Sequence, residues 1–303
     1  MFDGEQLVNH ASLSGIYPAI VTPLTGDGEL ATDVAERLMA RLMAAGVDGV
    51  YAAGSTGEGM RMSLAGREAL VECLMSTLPQ GKKLLVHVGA PRVEDAIRLA
   101  VHAAKAGAHA ISSLPTQGAF PQVRDYYKRL AEDSPLPLIL YYFPEVCPNA
   151  FQNPEELREI CALPNVSGVK FTDFNLFLLE QLAASGKVVY NGRDEVLAAG
   201  LLMGAQGGIG STYNLVPEIY VALYRHTLRG EWEKARQLQR SLNQLIAVLV
   251  KYPFLPALKA ALGSSGFACG ATLNGEQFES PAQQQQFLSE LAVVMPQQGA
   301  VAI

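Results

Sequence analysis

The stretch Val166-Ser167-Gly168-Val169-Lys170-Phe171 reads as a fully buried β-strand that carries a lysine near its end. A lysine in that place has two readings. Its stem can follow the apolar surface while the ammonium snorkels into water. Alternatively the ammonium is held out of water, which lowers its pKa and favours the neutral, nucleophilic amine. A neutral amine in a dry site forms a Schiff base with a carbonyl substrate. The elements on either side decide between the two.

Working outward, short apolar runs alternate with longer amphipathic ones. The expected strands are Tyr17–Val21, Gly49–Ala53, Leu84–Val88, Ala110–Ser113, Leu138–Tyr142, Val166–Lys170, Val188–Asn191 and Gly207–Gly210. Helix-period segments follow Thr32-Asp33 and Ser63, and run over Val93–Ala106, Pro121–Ala131 and Pro154–Ala162. Ser63 stands where a capping serine would start its helix. Strand–helix alternation implies parallel strands joined by right-handed crossovers. Eight such units in residues 1–215 fit a closed (β/α)8 barrel. An open dinucleotide-binding sheet would show GxGxxG after the first strand, and Thr22-Pro23-Leu24-Thr25 stands there instead. Residues 216–303 read as a helical C-terminal region: Pro217–Leu228, Glu231–Val250, Phe254–Leu262 and Pro281–Val294, with fraying expected at Pro296–Ile303.

Composition narrows the function. The 303 residues are 49% hydrophobic and 17% charged, which describes a core-rich globular chain. A net charge of −6 without a basic run gives no nucleic-acid signature. The longest apolar stretches, such as Leu242–Val250, are too short to span a bilayer. Residues 1–14 lack a secretory signal, so the expected compartment is the cytoplasm. Cys73, Cys147, Cys161 and Cys269 form no CxxC pair, and the five histidines form no HxH or HExxH pair. No metal is expected.

In such barrels chemistry sits where strands end and βα loops begin. Polar residues gather at those ends: Gly54-Ser55-Thr56-Gly57-Glu58, Tyr141-Tyr142, Lys170, Asn191-Gly192-Arg193-Asp194-Glu195 and Gly210-Ser211-Thr212. The first has flanking glycines and hydroxyls suited to a carboxylate or phosphate, or is an ordinary βα turn. Tyr141 and Tyr142 alternate, so only one faces the interior, as a proton relay or as core. Gly207–Gly210 could hold a phosphate, as loops after the last barrel strands often do. Asp194 and Glu195 could contact hydroxyls or serve a helix's first turn.

Together, Gly54-Ser55-Thr56-Gly57-Glu58, Tyr141 with Pro144, Gly168-Val169-Lys170 and Gly207-Gly208-Ile209-Gly210-Ser211 resemble one family over nearly the full length. It is the pyruvate-dependent class I aldolases, which include N-acetylneuraminate lyase and dihydrodipicolinate synthase. The resemblance implies that Lys170 condenses with the ketone of pyruvate or a 2-oxo acid, without another cofactor. It implies that Tyr141 moves protons, and that Ser55 and Thr56 bind the pyruvate carboxylate. It also implies a homotetramer.

Within the family the lyase branch is the better match. The synthases carry an arginine two residues after the motif proline, where this chain has Val146. Lys170-Phe171-Thr172-Asp173 is similar to the lyases, whose corresponding threonine lines the pocket. The resemblance assigns Gly192, Asp194, Glu195, Gly210 and Ser211 to a sugar's polyhydroxy tail. Such a tail needs mixed donors and acceptors without a strong positive charge. Three features depart from the pattern. Ser113–Phe120 lacks an aromatic pair after Pro115, one of which in the synthases completes a relay in the neighbouring subunit. Tyr142 replaces a common asparagine, and Glu145 adds a negative charge.

The expected activity is a Schiff-base lyase or aldolase joining or releasing pyruvate and a sugar-derived aldehyde, most like N-acetylneuraminate lyase. A 2-keto-3-deoxy sugar-acid aldolase or dehydratase, a dihydrodipicolinate-synthase-like condensing enzyme, and a non-catalytic 2-oxo acid sensor are the alternatives.

Overall fold

The computed structural model describes residues 13–115 and 118–295. Pro296–Ile303, most of the segment read for a signal, and Thr116-Gln117 lie outside the described residues. The strands are β1 (Gly15–Pro18), β2 (Gly49–Ala52), β3 (Lys83–His87), β4 (Ala110–Ser113), β5 (Leu138–Tyr142), β6 (Val166–Phe171), β7 (Val188–Asn191) and β8 (Gly207–Gly210). They form one sheet in the order β1-β8-β7-β6-β5-β4-β3-β2. All neighbours are parallel. A parallel bridge between Ala19 and Tyr51 joins the two ends, with Ile20 N–H donating to Tyr51 O at 3.0 Å. The result is the expected (β/α)8 barrel.

The helices between strands are α1 (Thr32–Ala44), α2 (Leu64–Thr77), α3 (Val93–Ala106), α4 (Phe120–Asp133), α5 (Pro154–Cys161), α6 (Leu176–Ala184) and α7 (Leu197–Leu202). After β8 come α8 (Pro217–Leu228), α9 (Trp232–Leu249), α10 (Phe254–Ser264) and α11 (Pro281–Val294). Local chemistry starts several of them. Ser63 Oγ accepts from Gly66 N–H at 3.0 Å, and Asn153 Oδ1 accepts from Glu156 N–H at 3.0 Å. Each satisfies a helix-end donor that lacks an intrahelical partner. Among the described residues no single helix is long and apolar enough to cross a membrane.

Two helices and one strand differ from expectation. α7 has only six residues, too short to display a helical period, and α6 is apolar nearly all round. Neither is legible as an amphipathic segment. β1 lies earlier than Tyr17–Val21 because Asn214 captures the backbone beyond Pro18. Its Nδ2 donates to Ala19 O at 2.7 Å and its Oδ1 accepts from Val21 N–H at 3.3 Å.

Side chains fill the barrel as two bodies of core. An inner cluster includes Tyr17, Tyr51, Leu85, Ile139, Tyr190 and Ile209. A larger outer cluster lies between strands and helices. This division follows the period-2 alternation of the strands. It leaves the C-terminal ends of the strands to converge on one rim.

Candidate active site

Lys170 lies on β6 in register with Tyr141 on β5 and Tyr190 on β7. In a parallel sheet registered neighbours point the same way, so all three enter the interior. Lys170 does not snorkel: it is 4% exposed. Its Nζ stands 4.0 Å from the Tyr141 ring centroid and 4.4 Å from that of Tyr51. Among the described residues no carboxylate forms an ion pair with it. The faces of two aromatic rings supply negative quadrupole in place of a counter-ion. Tyr142, the alternate position, leaves the interior and stacks on Phe171 with centroids 5.1 Å apart.

Around this amine the aromatic groups interlock. Tyr141 meets Tyr51 edge-on at 6.3 Å and His87 at 6.1 Å. Tyr51 donates its hydroxyl to Ser112 Oγ at 3.2 Å. His87 Nε2 accepts from Leu114 N–H at 3.0 Å, which places the ring proton on Nδ1. Burial, then the Arg67 guanidinium, then Lys170 hold the His87 imidazole well below its usual range, so it is neutral. Arg67 is itself buried under the rim and donates to Gly89 O at 2.8 Å and to His87 O at 2.5 Å. Tyr51, His87 and Arg67 were missed by the sequence reading.

The turn after β2 is strained. Ala53 and Glu58 both adopt left-handed backbone, each with φ 55°. Non-glycine residues in that region persist where surrounding structure over-determines them. Between them Ser55 is exposed and Thr56 is buried. Thr56 Oγ1 lies 2.6 Å from Ser211 Oγ after the end of β8, with only β1 between the two strands. The turn is also gripped by Thr22, whose hydroxyl donates to Gly57 O at 2.6 Å.

The remaining expected residues collect over β6, β7 and β8. Thr172 is buried and its Oγ1 lacks a hydrogen-bond partner among the described residues. A Cβ on Gly192 would lie 2.1 Å from that hydroxyl, so only glycine fits there. Asp194 is buried, and its Oδ2 accepts from Thr212 N–H at 2.8 Å and Thr212 Oγ1 at 2.6 Å. Burial raises its carboxyl to about 6 despite those two hydrogen bonds. Glu195 is half-buried, and its carbonyl accepts from Asn243 Nδ2 of α9 at 3.0 Å.

Gly207–Gly210 does not form a phosphate loop. It is strand β8, and its glycines make room for protein atoms: a Cβ on Gly210 would meet Asp194 Oδ1 at 2.1 Å. Arg193, between Gly192 and Asp194, brings a positive charge to the rim. Its guanidinium packs 4.5 Å from the Phe174 centroid and 5.4 Å from that of Phe143, and it pairs with Glu145. The negative charge noted at Glu145 is therefore neutralised from β7's loop.

Lys170, Tyr141, Thr56, Thr172, Gly192, Asp194, Gly210 and Ser211 thus belong to the same rim. The arrangement offers a desolvated amine beside a phenol, a hydroxyl-bearing turn, and a wall of mixed donors and acceptors.

Comparison with known proteins agrees with this geometry. A model of the dihydrodipicolinate synthetase family matches residues 12–287. An N-acetylneuraminate lyase of Rhizobium meliloti (strain 1021) is 40% identical over 263 residues, which is 85% of this chain and 87% of that protein. The N-acetylneuraminate lyase of Citrobacter koseri is 33% identical over 256 residues, covering 82% and 86%. The solved Proteus mirabilis N-acetylneuraminate lyase superposes with a TM-score of 0.85 at 26% identity, covering 93% of this chain and 98% of that one. A Ruminococcus gnavus sialic acid aldolase shares the fold, with a TM-score of 0.87 at 24% identity over 93% of this chain and 97% of that one. The chain belongs to the dihydrodipicolinate synthetase family.

Proposed function

We propose that this protein is a class I lyase of the N-acetylneuraminate lyase type, which splits N-acetylneuraminate into N-acetylmannosamine and pyruvate through an imine on Lys170. The observation that carries the reading is the Lys170 Nζ, buried without an ion pair among the described residues and set 4.0 Å from the Tyr141 ring. Set against two aromatic ring faces and only 4% exposed, the amine is shielded from bulk water. The amine adds to the 2-oxo carbon, and loss of water with transfer of the Tyr141 phenol proton gives a protonated imine and leaves Tyr141 able to accept a proton. When the neighbouring C–C bond breaks, its electron pair enters the imine and forms an enamine. The hydroxyl on the departing carbon gives up its proton as that carbon becomes the aldehyde. Tyr141 takes this proton and returns one to the enamine carbon, and water then hydrolyses the imine to release pyruvate. The covalent imine does the work of a cofactor.

In this reading Ser55 and Thr56 hold the substrate carboxylate. Thr172, Gly192, Asp194, Glu195, Gly210 and Ser211 face the polyhydroxy tail. The free hydroxyl of Thr172 supports that part of the wall as a tail site, since an unpaired buried hydroxyl is costly until a ligand satisfies it. The reading also takes the enzyme as a cytoplasmic homotetramer, which sedimentation measures.

A second reading is a 2-keto-3-deoxy sugar acid whose far end is charged; it requires Arg193 to exchange Glu145 for the substrate's carboxylate, a group that a guanidinium recognises well. Borohydride reduction in the presence of pyruvate tests the shared chemistry. The expected result is a mass increase on Lys170. If pyruvate binds by calorimetry yet leaves no adduct, a sensor replaces the enzyme. Pyruvate release from N-acetylneuraminate against release from keto-deoxy sugar acids then separates the two substrate classes.

A further inference from the structure

Two buried charges that the chemistry does not use lie behind the Ser55-Thr56 turn. Glu58 closes that turn, and its side chain points away from the site into the C-terminal helices. There its Oε1 lies 2.8 Å from Lys259 Nζ of α10, with both side chains almost wholly buried. Glu58 Oε2 accepts from Leu273 N–H at 2.5 Å, and Lys259 donates to Ala271 O at 2.6 Å. The loop that supplies Ala271 and Leu273 also reaches the β1–α1 loop, where Leu24 N–H donates to Cys269 O at 3.0 Å.

We propose that the Glu58–Lys259 pair is a positioning device that holds the Ser55-Thr56 turn in its carboxylate-receiving shape, making α10 and the loop after it a working part of the active site. Two facts converge on this. Glu58 carries left-handed backbone at φ 55°, as Ala53 does at the other end of the turn, and such backbone relaxes once its surroundings stop enforcing it. The side chain of that strained residue is also the one anchored by a buried cation. A buried pair that loses one member leaves a charge without compensation, so the remaining group must move or draw in water. Movement of Glu58 is movement of the turn, since Glu58 N–H donates to Ser55 O at 3.1 Å.

The proposal rests on the aldolase reading for its functional half, and the experiment separates the two. Lys259→Met and the milder Glu58→Gln are compared with the unmodified full chain. Three quantities are measured: the pyruvate concentration for half-maximal borohydride trapping, the trapping at saturation, and amide hydrogen exchange over residues 54–58. Lys259→Met should raise the half-trapping concentration about tenfold, keep trapping at saturation, and speed exchange over the turn. Glu58→Gln, which retains the shape and the acceptor for Leu273, should move both in the same direction by less. Unchanged exchange in both variants, with only melting temperature lowered, overturns the proposal, because the pair then holds the fold and not the turn. Faster exchange with an unchanged half-trapping concentration overturns its functional half. If the unmodified chain traps no pyruvate, the aldolase reading fails while exchange still decides the clamp.

Discussion

Lys170 and Lys259 are buried to the same degree, 4% exposed each, yet their surroundings are opposite. Lys259 has a carboxylate at 2.8 Å and a carbonyl at 2.6 Å. Lys170 has two ring faces and no ion pair among the described residues. A paired buried lysine ties two regions together. An unpaired one is held where its charged form is poorly solvated, which is a cost to stability and an opportunity for nucleophilic chemistry. Burial alone therefore does not identify a reactive lysine; the partner does.

The largest expected effect lies at Lys170. Lys170→Met should lower turnover by about 10⁴-fold or more and abolish borohydride trapping, as loss of a covalent nucleophile does. Its thermal midpoint should hold or rise, because a buried polar amine has given way to an apolar side chain of similar length. Residual trapping elsewhere on the chain, or a sharp fall in the midpoint, would break the contrast. At Lys259 the same substitution should reverse the pattern. Denaturant unfolding should show a loss of about 3–5 kcal/mol, the usual result of leaving a buried partner unpaired. A loss below about 1 kcal/mol would mean that Glu58 finds another way to be satisfied.

Asp194 extends the contrast to acids, for among the described residues it too is buried without a cation in hydrogen-bond contact. Its folded value of about 6 lies above its ordinary 3.8. Between those values the folded state keeps a proton that the unfolded state has released. Stability should therefore fall as pH rises from 3.8 to about 6, by at most about 3 kcal/mol. Asp194→Asn should flatten that slope, so its stability relative to the unmodified chain improves across the same window. Parallel pH profiles for the two proteins would refute the assignment. The smallest effect is expected at the rim, where Glu145 is largely exposed. Glu145→Gln should change stability by less than about 1 kcal/mol. It should free Arg193, however, and shift partner preference toward aldehydes with a carboxylate at the far end. An unchanged preference, read by competing the two kinds of aldehyde, would remove Arg193 from the specificity argument.

Much of this was legible because the relevant signals are local. Strand parity alone decides that Tyr141 and Tyr142 cannot both enter the barrel, and Ser63 announces its helix by residue type. The Ser55-Thr56 turn and Lys170 are found by their position at strand ends. What escaped is long-range. Asn214 truncates β1 across 195 residues of sequence, to which Ala19 gives no clue. His87 looks like one scattered histidine until β3 is set beside β4 and under Tyr141. Glu145 reads as an added negative charge until Arg193 arrives from another loop to pair with it.

By itself the sequence determined the barrel and the lysine at the end of its sixth strand. Hydrophobic period, capping residues and turn chemistry act over a few residues, and these features depend on nothing more. Only the tertiary structure decided which buried lysine is paired and which is not. It also decided which glycines in β8 make room for Asp194 and which loop answers Glu145. Those outcomes depend on distances between residues far apart in the chain, and electrostatic compensation is a property of distance.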